Sequence, residues 1–299
     1  MLFPDFRIVK IKILLTVLYL LLVLVNQYGS LDDISSDYTK AGLKRALVTY
    51  AVVRGLNGII SVAQGTEVAI EPAGIGLTFT PGEILDPVND LIERFSWVVL
   101  ASSTSLGIQQ LLLKIGSWVW FRVAVSIAVI TALITIWPGT ARVNVLRSVL
   151  MRLALIAIVI RFSVPLLSLG NELLYRHFLE PEYQASSESL RRTSLTLSDL
   201  NKQSQAEQAR TEDEDADERS LLENARRIYQ SAAGNIRINA RIQAFKVAAE
   251  NISEQTINLI VLFVLQTLLI PLLYLWVILQ LLKYLVTSDI QLEPVSKLK

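Results

Sequence analysis

Cysteine is absent from this 299-residue chain, and histidine occurs only once, at position 177. Without cysteine the chain forms no disulfide, no thiolate nucleophile and no cysteine-ligated metal site. One histidine does not suffice for a multi-histidine metal centre within a single copy. We therefore expect no bound metal ion. The lack of cysteine also suits an oxidising compartment such as the bacterial periplasm.

Charge is scarce as well, at 18% of residues against 52% that are hydrophobic, and the net charge is only +1. This balance creates no overall field that would favour nucleic acid, so we expect no nucleic-acid partner. The charged residues are crowded into some stretches and missing from others. Their distribution, more than their number, predicts how the chain is organised.

Four stretches have the length and apolar composition of a transmembrane helix, which needs about 20 residues. They are the charge-free run between Lys12 and Asp32, with a leucine-rich centre at 13–25, and residues 123–141, 145–169 and 255–282. The first follows a basic segment and lacks a small-residue cleavage pattern at its end. We therefore interpret it as an uncleaved anchor, with a cleaved signal peptide as the alternative. Pro271 lies inside the last stretch and predicts a kink there.

A fifth stretch, residues 95–113, is free of charge but polar at its centre. If it crossed the membrane, the arginine-rich turn after residue 141 would face outward, against the positive-inside rule. If it does not cross, that turn and the C-terminal lysines face the cytoplasm. We therefore predict four spans with both termini cytoplasmic, in a bacterial inner membrane. Residues 95–113 then form an interfacial, re-entrant or interior helix.

These spans predict an all-α integral membrane protein in contact with the lipid bilayer, with its chain divided into six regions. The regions are an N-terminal anchor (1–31), a first outer region (32–115), a transmembrane hairpin (116–169), a polar second outer region with a long amphipathic helix (170–254), a last transmembrane helix (255–287) and a cytoplasmic tail (288–299).

The first outer region is predicted to contain a helix, a small β-hairpin and a second helix. Apolar residues recur at helical spacing over residues 41–62, and apolar alternation on either side of residues 72–74 is typical of a hairpin. Asp86-Pro87 marks the expected start of the second helix. An isolated hairpin is only marginally stable in water. We therefore expect it to pair with a neighbouring copy or to lie against the bilayer.

The second outer region ends in a pattern that predicts one long helix continuing into the last span. Over residues 221–282 such a helix would be about 90 Å long at 1.5 Å per residue. So long a helix needs partners along its apolar seam, which predicts a homo-oligomer. The seam residues are Leu221, Ala225, Ile228, Ala232, Ile238, Ile242, Phe245, Ala249 and Ile252.

Arg161 is a charge that a simple membrane anchor does not need. It lies about 14 residues beyond the basic turn, roughly 20 Å along a helix. A charge at that depth normally faces a bundle interior or water. One interpretation is an anion-selective path or an anionic-lipid site, with Arg152 as a second contact. The alternative is structural: a hydrogen bond to carbonyls near Pro165, or an ion pair with Glu172, Glu250 or Glu254.

The polar centre of residues 95–113 is the other candidate site. Ser102, Ser105 and Gln109 recur at helical spacing and form a polar stripe. Such a stripe would line a pore or pack on neighbouring helices through small residues. The alternative is an amphipathic helix on the membrane surface.

No pattern in the chain predicts an enzyme or a cofactor site. The acidic run 212–218 resembles a calcium loop in its alternating aspartates, but it has Glu218 where such a loop needs glycine, so it is better interpreted as a solvated segment. His177 stands alone near the end of an apolar stretch. We expect a homo-oligomeric, channel-like assembly that prefers anions. The alternative is a non-catalytic scaffold that organises other envelope proteins.

Overall fold

The computed structural model describes residues 6–65, 68–70, 77–79, 81–137, 141–214 and 221–287. Within them the architecture is helical. The α-helices are α1 (Phe6–Tyr28), α2 (Ser30–Gln64), α3 (Pro81–Ser117), α4 (Val119–Ile134), α5 (Ala141–Leu174), α6 (Glu180–Glu214), α7 (Leu221–Val264) and α8 (Ile270–Thr287). Two five-residue π-helical turns, Tyr175–Leu179 and Leu265–Leu269, join α5 to α6 and α7 to α8.

Four helical stretches are long and apolar enough to cross a membrane, which indicates an integral membrane protein. They are Ser30–Gln64, Glu83–Ser117, Leu146–Ala206 and Asn239–Thr287. Two of the predicted spans, 145–169 and 255–282, fall on these stretches. The other two coincide with shorter apolar helices, Lys12–Tyr28 and Val119–Ile134. The number of spans therefore agrees with the prediction, but not all of their positions do.

Residues 95–113 form the second half of α3, which is uninterrupted from Pro81 to Ser117. A re-entrant segment would have to turn back within this range, so that interpretation is wrong. The start predicted at Asp86-Pro87 is also wrong, because the helix already begins at Pro81 and includes Pro87. Pro81 occupies the first position of α3. A proline is well tolerated there, because a backbone N–H at that position would have no partner within the helix.

The boundary between α1 and α2 is set by Gly29. Its φ is 65°. This value lies in the left-handed region, which glycine adopts without strain. The Gly29 carbonyl then accepts the backbone N–H groups of Asp32 and Asp33, at 2.9 and 3.1 Å. Both carboxylates lie in the first turn of α2, where they complement the helix dipole. Helix α2 therefore begins well before residue 41, where apolar spacing predicted it.

The buried side chains of α2 and α3 follow alternating spacings of three and four residues, as in coiled coils. On α2 they are Asp32, Ser35, Thr39, Gly42, Ala46, Thr49, Val53, Leu56, Ile60 and Ala63. On α3 the residues at these spacings are Leu85, Val88, Ile92, Phe95, Val99, Ser102, Leu106, Gln109 and Leu113, and Ser96 and Ser103 beside them are also buried. Each helix thus carries one continuous buried seam that is apolar at one end and rich in small or polar residues at the other.

The chain forms two compact units, each assembled from separated stretches. The first unit contains Met1–Leu43, Thr104–Tyr175 and Gln266–Lys299. Its apolar core lies between α1, α4 and α5 and is formed by Tyr19, Val125, Val129, Ala132, Ile136, Met151 and Ala154. In this unit α1 packs on α4, α4 on α5, and α5 on α8.

The second unit contains Lys44–Ser103 and Arg176–Leu265 and is a bundle of four helical segments. One layer of its core takes a residue from each segment. The Thr49 and Tyr183 hydroxyls are 3.0 Å apart. Tyr183 meets Phe263 edge-on at 6.3 Å between ring centroids, and Phe263 lies 6.2 Å from Phe95. Asn251 joins α7 to α6 by accepting hydrogen bonds from Ser189 and Thr193, at 3.1 and 2.9 Å.

The helices follow the same order twice along the chain. An apolar helix leads into a long helix, and a returning long helix leads into a second apolar helix, first as α1 to α4 and then as α5 to α8. Equivalent elements contact each other within each unit. Asn26 of α1 bonds Arg161 of α5 in the first unit, and Phe95 of α3 meets Phe263 of α7 in the second.

Helix α6 was not predicted, because its sequence is rich in serine, glutamate and glutamine. Over residues 180–206, where its side chains are described, the buried residues are Ser186, Leu190, Leu197, Asn201 and Ser204, of which two are large and apolar. Two short strands, Val68–Ile70 and Leu77–Phe79, lie antiparallel near the predicted hairpin, with Ala69 opposite Thr78. The residues of its turn lie outside the described part of the chain, so the hairpin stays a prediction.

Candidate functional site: a buried ion pair and two flanks in the first unit

Arg161 and Asp32 form a buried, bidentate ion pair in the first unit. Arg161 Nη1 donates to Asp32 Oδ1 at 2.8 Å, and Nη2 donates to Oδ2. Arg161 is 3% exposed and Asp32 is 6% exposed. The guanidinium matches a carboxylate in geometry as well as charge. A structural ion pair was one of the sequence interpretations of Arg161, but Asp32 was not among the three acids suggested.

Asn26 connects this ion pair to α4. Arg161 Nε donates to Asn26 Oδ1 at 2.9 Å, and the Asn26 amide donates to the Arg122 carbonyl and the Ser126 hydroxyl, at 2.9 and 3.0 Å. Arg122 in turn donates to the Gln27 carbonyl at 3.2 Å. The end of α1, the start of α2, the start of α4 and the middle of α5 therefore meet at one level, which we call the Arg161 level.

Hydroxyl groups join α2 to α5 on the C-terminal side of Arg161. The Thr39 and Ser168 hydroxyls are 2.8 Å apart, and Ser168 Oγ donates to the Ser35 carbonyl at 2.9 Å. Ser35 Oγ donates to the carbonyl of Pro165 at 3.3 Å. All four residues lie on the shared face of the two helices. These bonds let two polar helix faces pack together without leaving a hydroxyl buried alone.

Ser105 has a specific structural partner. Its hydroxyl donates to the Thr267 carbonyl at 3.0 Å. Thr267 stands four residues before Pro271, which has no N–H to give to that carbonyl. The π-helical turn Leu265–Leu269 lies just before the proline, and the kink predicted at Pro271 stays a prediction. Ser105 supplies the hydrogen bond that the proline removes.

The other two residues of the predicted polar stripe, Ser102 and Gln109, are buried within the protein. Neighbouring Ser96 and Ser103 donate to carbonyls of their own helix, Ile92 and Val99, at 3.0 and 2.8 Å. Such bonds are the usual way for a hydroxyl to be satisfied on an apolar helix. Small side chains of this kind allow close helix packing.

Arg152, the second predicted anion contact, lies near the end of α8. Its Nη1 donates to the Val286 carbonyl at 3.2 Å. Val286 is in the last turn of α8, where backbone carbonyls have no partner within the helix and carry the negative end of its dipole. Arg152 therefore caps α8 in this structure.

The seam predicted for contacts between copies is used within the chain where the structure describes it. Phe245, Ala249 and Ile252 are buried, and Ile242 is half-buried. Helix α7 pairs extensively with α6. The side chains of the other predicted seam residues lie outside the described set: Leu221, Ala225, Ile228, Ala232 and Ile238.

The first unit has two flanks of different character. The charged flank is the outer face of α2, with Asp33, Asp37 and Lys40; Asp37 and Lys40 are 76% and 55% exposed. The apolar flank belongs to α3 and the adjoining π turn and α8. Its exposed leucines and isoleucines are Ile108, Leu111, Leu112, Ile115, Leu268, Leu269, Leu272 and Leu273, and exposed Lys114 lies among those of α3. The Ser105–Thr267 bond holds the two helical stretches of the apolar flank side by side.

Exposed aromatic residues lie close to the Arg161 level. Tyr28 ends α1, while Trp118 and Trp120 stand at the start of α4, next to Arg122. Trp276 of α8 follows Tyr274, which lies beside Ser163 of α5. At the opposite end of α4, Trp137 is exposed. Tryptophan and tyrosine at such positions are typical of the boundary between a bilayer and water.

The second unit exposes paired charges on its helices. Arg94 bonds Asp90 on α3 at 2.9 Å. On α6, hydrogen bonds from Arg191 and Arg192 lower the pKa of Glu188 to about 2. The carboxylate therefore stays ionised at neutral pH, and the pair is lost only as the pH falls towards that value. Such surface pairs contribute little to stability and leave charged surface available for contacts.

Asp32 and Asn26 are the functional residues that the sequence did not single out. Asp32 was interpreted only as the end of the first apolar stretch. Among the described residues, no group of three or more histidine, cysteine, aspartate or glutamate side chains is placed to hold a metal ion. No family model, curated protein or solved structure matches the chain.

Proposed function

We propose that this protein is a non-catalytic scaffold of the cell envelope, anchored in the membrane by its first unit and binding other envelope proteins through its second. The observation that carries the proposal is the pairing of Arg161 with Asp32. This pair neutralises Arg161, the charge on which the sequence interpretation of an anion path depends.

The hydrogen bonds and burial of the other candidate pore residues support the same proposal. Arg152 caps a helix, Ser105 satisfies the carbonyl freed by Pro271, and Ser102 and Gln109 are buried. Arg152 and Ser105 thus have structural partners within the chain, whereas the Gln109 amide nitrogen is buried without a hydrogen-bond partner among the described residues. A pore wall needs polar groups that face water instead.

The aromatic residues support a bilayer boundary at the Arg161 level. Trp118 and Trp137 stand at opposite ends of α4. At about 1.5 Å per residue, a helix between them would span about 28 Å, close to the thickness of a hydrocarbon core. In this arrangement α1, α4, the first half of α5 and α8 are the four spans. Both polar regions then lie on the same outer side, and the termini are cytoplasmic, as the basic turn around Arg147 favours.

A water-lined pore is the second candidate, and the charged flank favours it. If several copies turned Asp33, Asp37 and Lys40 towards a common axis, these side chains would line a polar path. That path would differ from the one predicted from the sequence, because it would use α2 instead of Arg161 and the serines of α3.

Site-specific photocrosslinking in native membranes tests the scaffold. A crosslinkable residue replaces exposed Arg94, Arg192 or Lys202 in the second unit, and exposed Leu18 of α1 serves as the control. We expect adducts with the same envelope protein from neighbouring positions of the second unit and none from Leu18. Absence of protein adducts, together with ion flux through the purified protein in liposomes, would favour the pore and reject the scaffold.

A further inference from the structure

Arg122, near the start of α4, is a half-buried cation at the Arg161 level. Its Nη1 donates to the Gln27 carbonyl at 3.2 Å, and its Nε is buried without a hydrogen-bond partner among the described residues. A Cβ added to Gly29 would lie 3.3 Å from Nη1, so the guanidinium lies against the break between α1 and α2. Arg161 is paired with Asp32, whereas Arg122 makes no ion pair with any carboxylate that the structure describes.

Acidic side chains are rare around this arginine. Neither α1 nor the sequence from Phe95 to Gly170 contains an aspartate or a glutamate. On α2, Asp32 is paired with Arg161, and Asp33 lies exposed in the first turn. Exposed Lys114, in the last turn of α3, adds a second cation on the other side of the short link between α3 and α4. The two cations at this junction therefore outnumber the one exposed acid of the adjoining turn.

Three exposed aromatic side chains lie next to Arg122. Trp118 and Trp120 precede it at the start of α4, and Tyr28 adjoins Gly29 at the end of α1. Such rings are enriched at the depth of the lipid headgroups. A half-buried guanidinium at that depth has lost part of its water, and a single carbonyl acceptor compensates this loss only in part. The anions available at this depth are the phosphates of the lipid headgroups.

We propose that Arg122 binds the headgroup phosphate of an anionic phospholipid at the outer boundary of the bilayer. The site rests on the membrane placement given under the proposed function, and it adds a specific lipid to the scaffold. Because Nε is buried, the edge formed by Nη1 and Nη2 is the part of the guanidinium that faces a ligand outside the protein. The two nitrogens of this edge match two oxygens of a phosphate in geometry and in charge. Lys114 favours a lipid with a net negative charge over a zwitterionic one.

A fluorescent probe beside Arg122 tests this site. Val119 lies one turn before Arg122 on α4 and is exposed, and Ile134 is exposed at the opposite end of the same helix. Since the chain has no cysteine of its own, Val119→Cys and Ile134→Cys each place a single bimane fluorophore. In phosphatidylcholine liposomes, a small share of phosphatidylglycerol that carries a nitroxide just below its headgroup quenches a probe that it contacts. The same share of nitroxide-labelled phosphatidylcholine gives the reference.

We expect the Val119 probe to be quenched more strongly by labelled phosphatidylglycerol than by labelled phosphatidylcholine. Arg122→Gln should lower this preference about fivefold, which corresponds to the usual contribution of one basic residue near an anionic membrane. Arg122→Lys, which keeps the charge and loses the planar fork, should retain part of the preference. Thermal unfolding of both variants in detergent without phospholipid should stay close to that of the wild type. Arg94→Gln in the second unit, and the Ile134 probe in every background, are the controls and should show no change.

Several outcomes would overturn the lipid site. Equal quenching of the Val119 probe by the two labelled lipids, or a preference that survives Arg122→Gln, would remove Arg122 as a lipid contact. Inorganic phosphate in the buffer should leave the quenching unchanged, and quenching that it reverses would assign the site to free phosphate. A Val119 probe that neither lipid quenches would place Arg122 away from the headgroups. Photocrosslinks from the second unit would still support the scaffold in each of these cases, so the two proposals fail separately.

Discussion

Arg161 donates two hydrogen bonds to the carboxylate of Asp32, across two helices and with both side chains almost fully buried. Removing one partner from such a pair leaves an uncompensated charge and costs about 3–5 kcal/mol. Removing both charges costs far less. The pair therefore fixes how α2 meets α5 and leaves neither charge unpaired.

The ion pair predicts a strong coupling between the two positions. Asp32→Asn and Arg161→Gln should each lower the free energy of unfolding by about 3 kcal/mol or more. The double variant keeps groups that can hydrogen-bond and should lie closer to the wild type than either single variant. Thermal unfolding in detergent, followed by tryptophan fluorescence, measures the cycle. Additive effects of the two substitutions would mean that the pair does not act as a unit.

Ser105 is predicted to contribute to stability only because Pro271 lacks a backbone N–H for the Thr267 carbonyl. Ser105→Ala should cost about 1 kcal/mol by removing a donor from the Thr267 carbonyl. Pro271→Ala restores a backbone N–H that can serve the same carbonyl. Ser105→Ala should therefore cost less in the Pro271→Ala background, measured by the same thermal unfolding. An equal cost in both backgrounds would contradict this assignment.

Two glycines are predicted to respond oppositely to alanine. Gly29 has a positive φ, and alanine is strained there, so Gly29→Ala should destabilise the protein by about 1–2 kcal/mol. Gly58 is helical, and an added Cβ there meets no atom within 4 Å. Gly58→Ala should therefore stabilise by about 0.5–1 kcal/mol in the same thermal unfolding. Gly29→Asn is the conservative control, since asparagine tolerates the left-handed region better. Equal effects at the two glycines would argue against the break between α1 and α2.

Phe95 is predicted to be the most sensitive core position of the second unit. It is fully buried against Phe263, so Phe95→Ala should cost about 3–5 kcal/mol. Exposed Glu93 on the same helix is the control. Glu93→Ala should change stability by no more than about 0.5 kcal/mol. Limited proteolysis of the second unit, compared between the two variants, gives a readout independent of unfolding. Equal resistance of both variants would place Phe95 outside the core.

The helical membrane character of the chain was predictable, because long charge-free stretches have few other uses. The residues to which its buried side chains are hydrogen-bonded were not predictable. Arg161 signalled a buried charge, but its partner Asp32 lies 129 positions away in sequence, and no local pattern connects the two. Ser105 illustrates the same limit, since its role depends on a proline in a different helix. Helix α6 escaped prediction because its buried seam is mostly serine and asparagine, so hydrophobic spacing alone could not reveal it.

The predicted seam of α7 shows a further limit of periodicity. The spacing of Phe245, Ala249 and Ile252 correctly indicated a face that seeks a partner. It did not indicate which helices cover that face; within the chain α7 pairs with α6, to which Asn251 is hydrogen-bonded. Apolar residues at helical spacing indicate that one face of a helix is buried. Which helix packs on that face depends on the tertiary structure.

Ion flux through the purified protein in liposomes tests the central claim most directly, with wild type and the Asp32→Asn/Arg161→Gln variant side by side. The scaffold account predicts that both proteins are folded and that both leave the liposomes tight to chloride and potassium. Chloride flux through the wild type that is lost or changes selectivity in the double variant would contradict it, because Arg161 would then act on ions instead of holding α2 to α5.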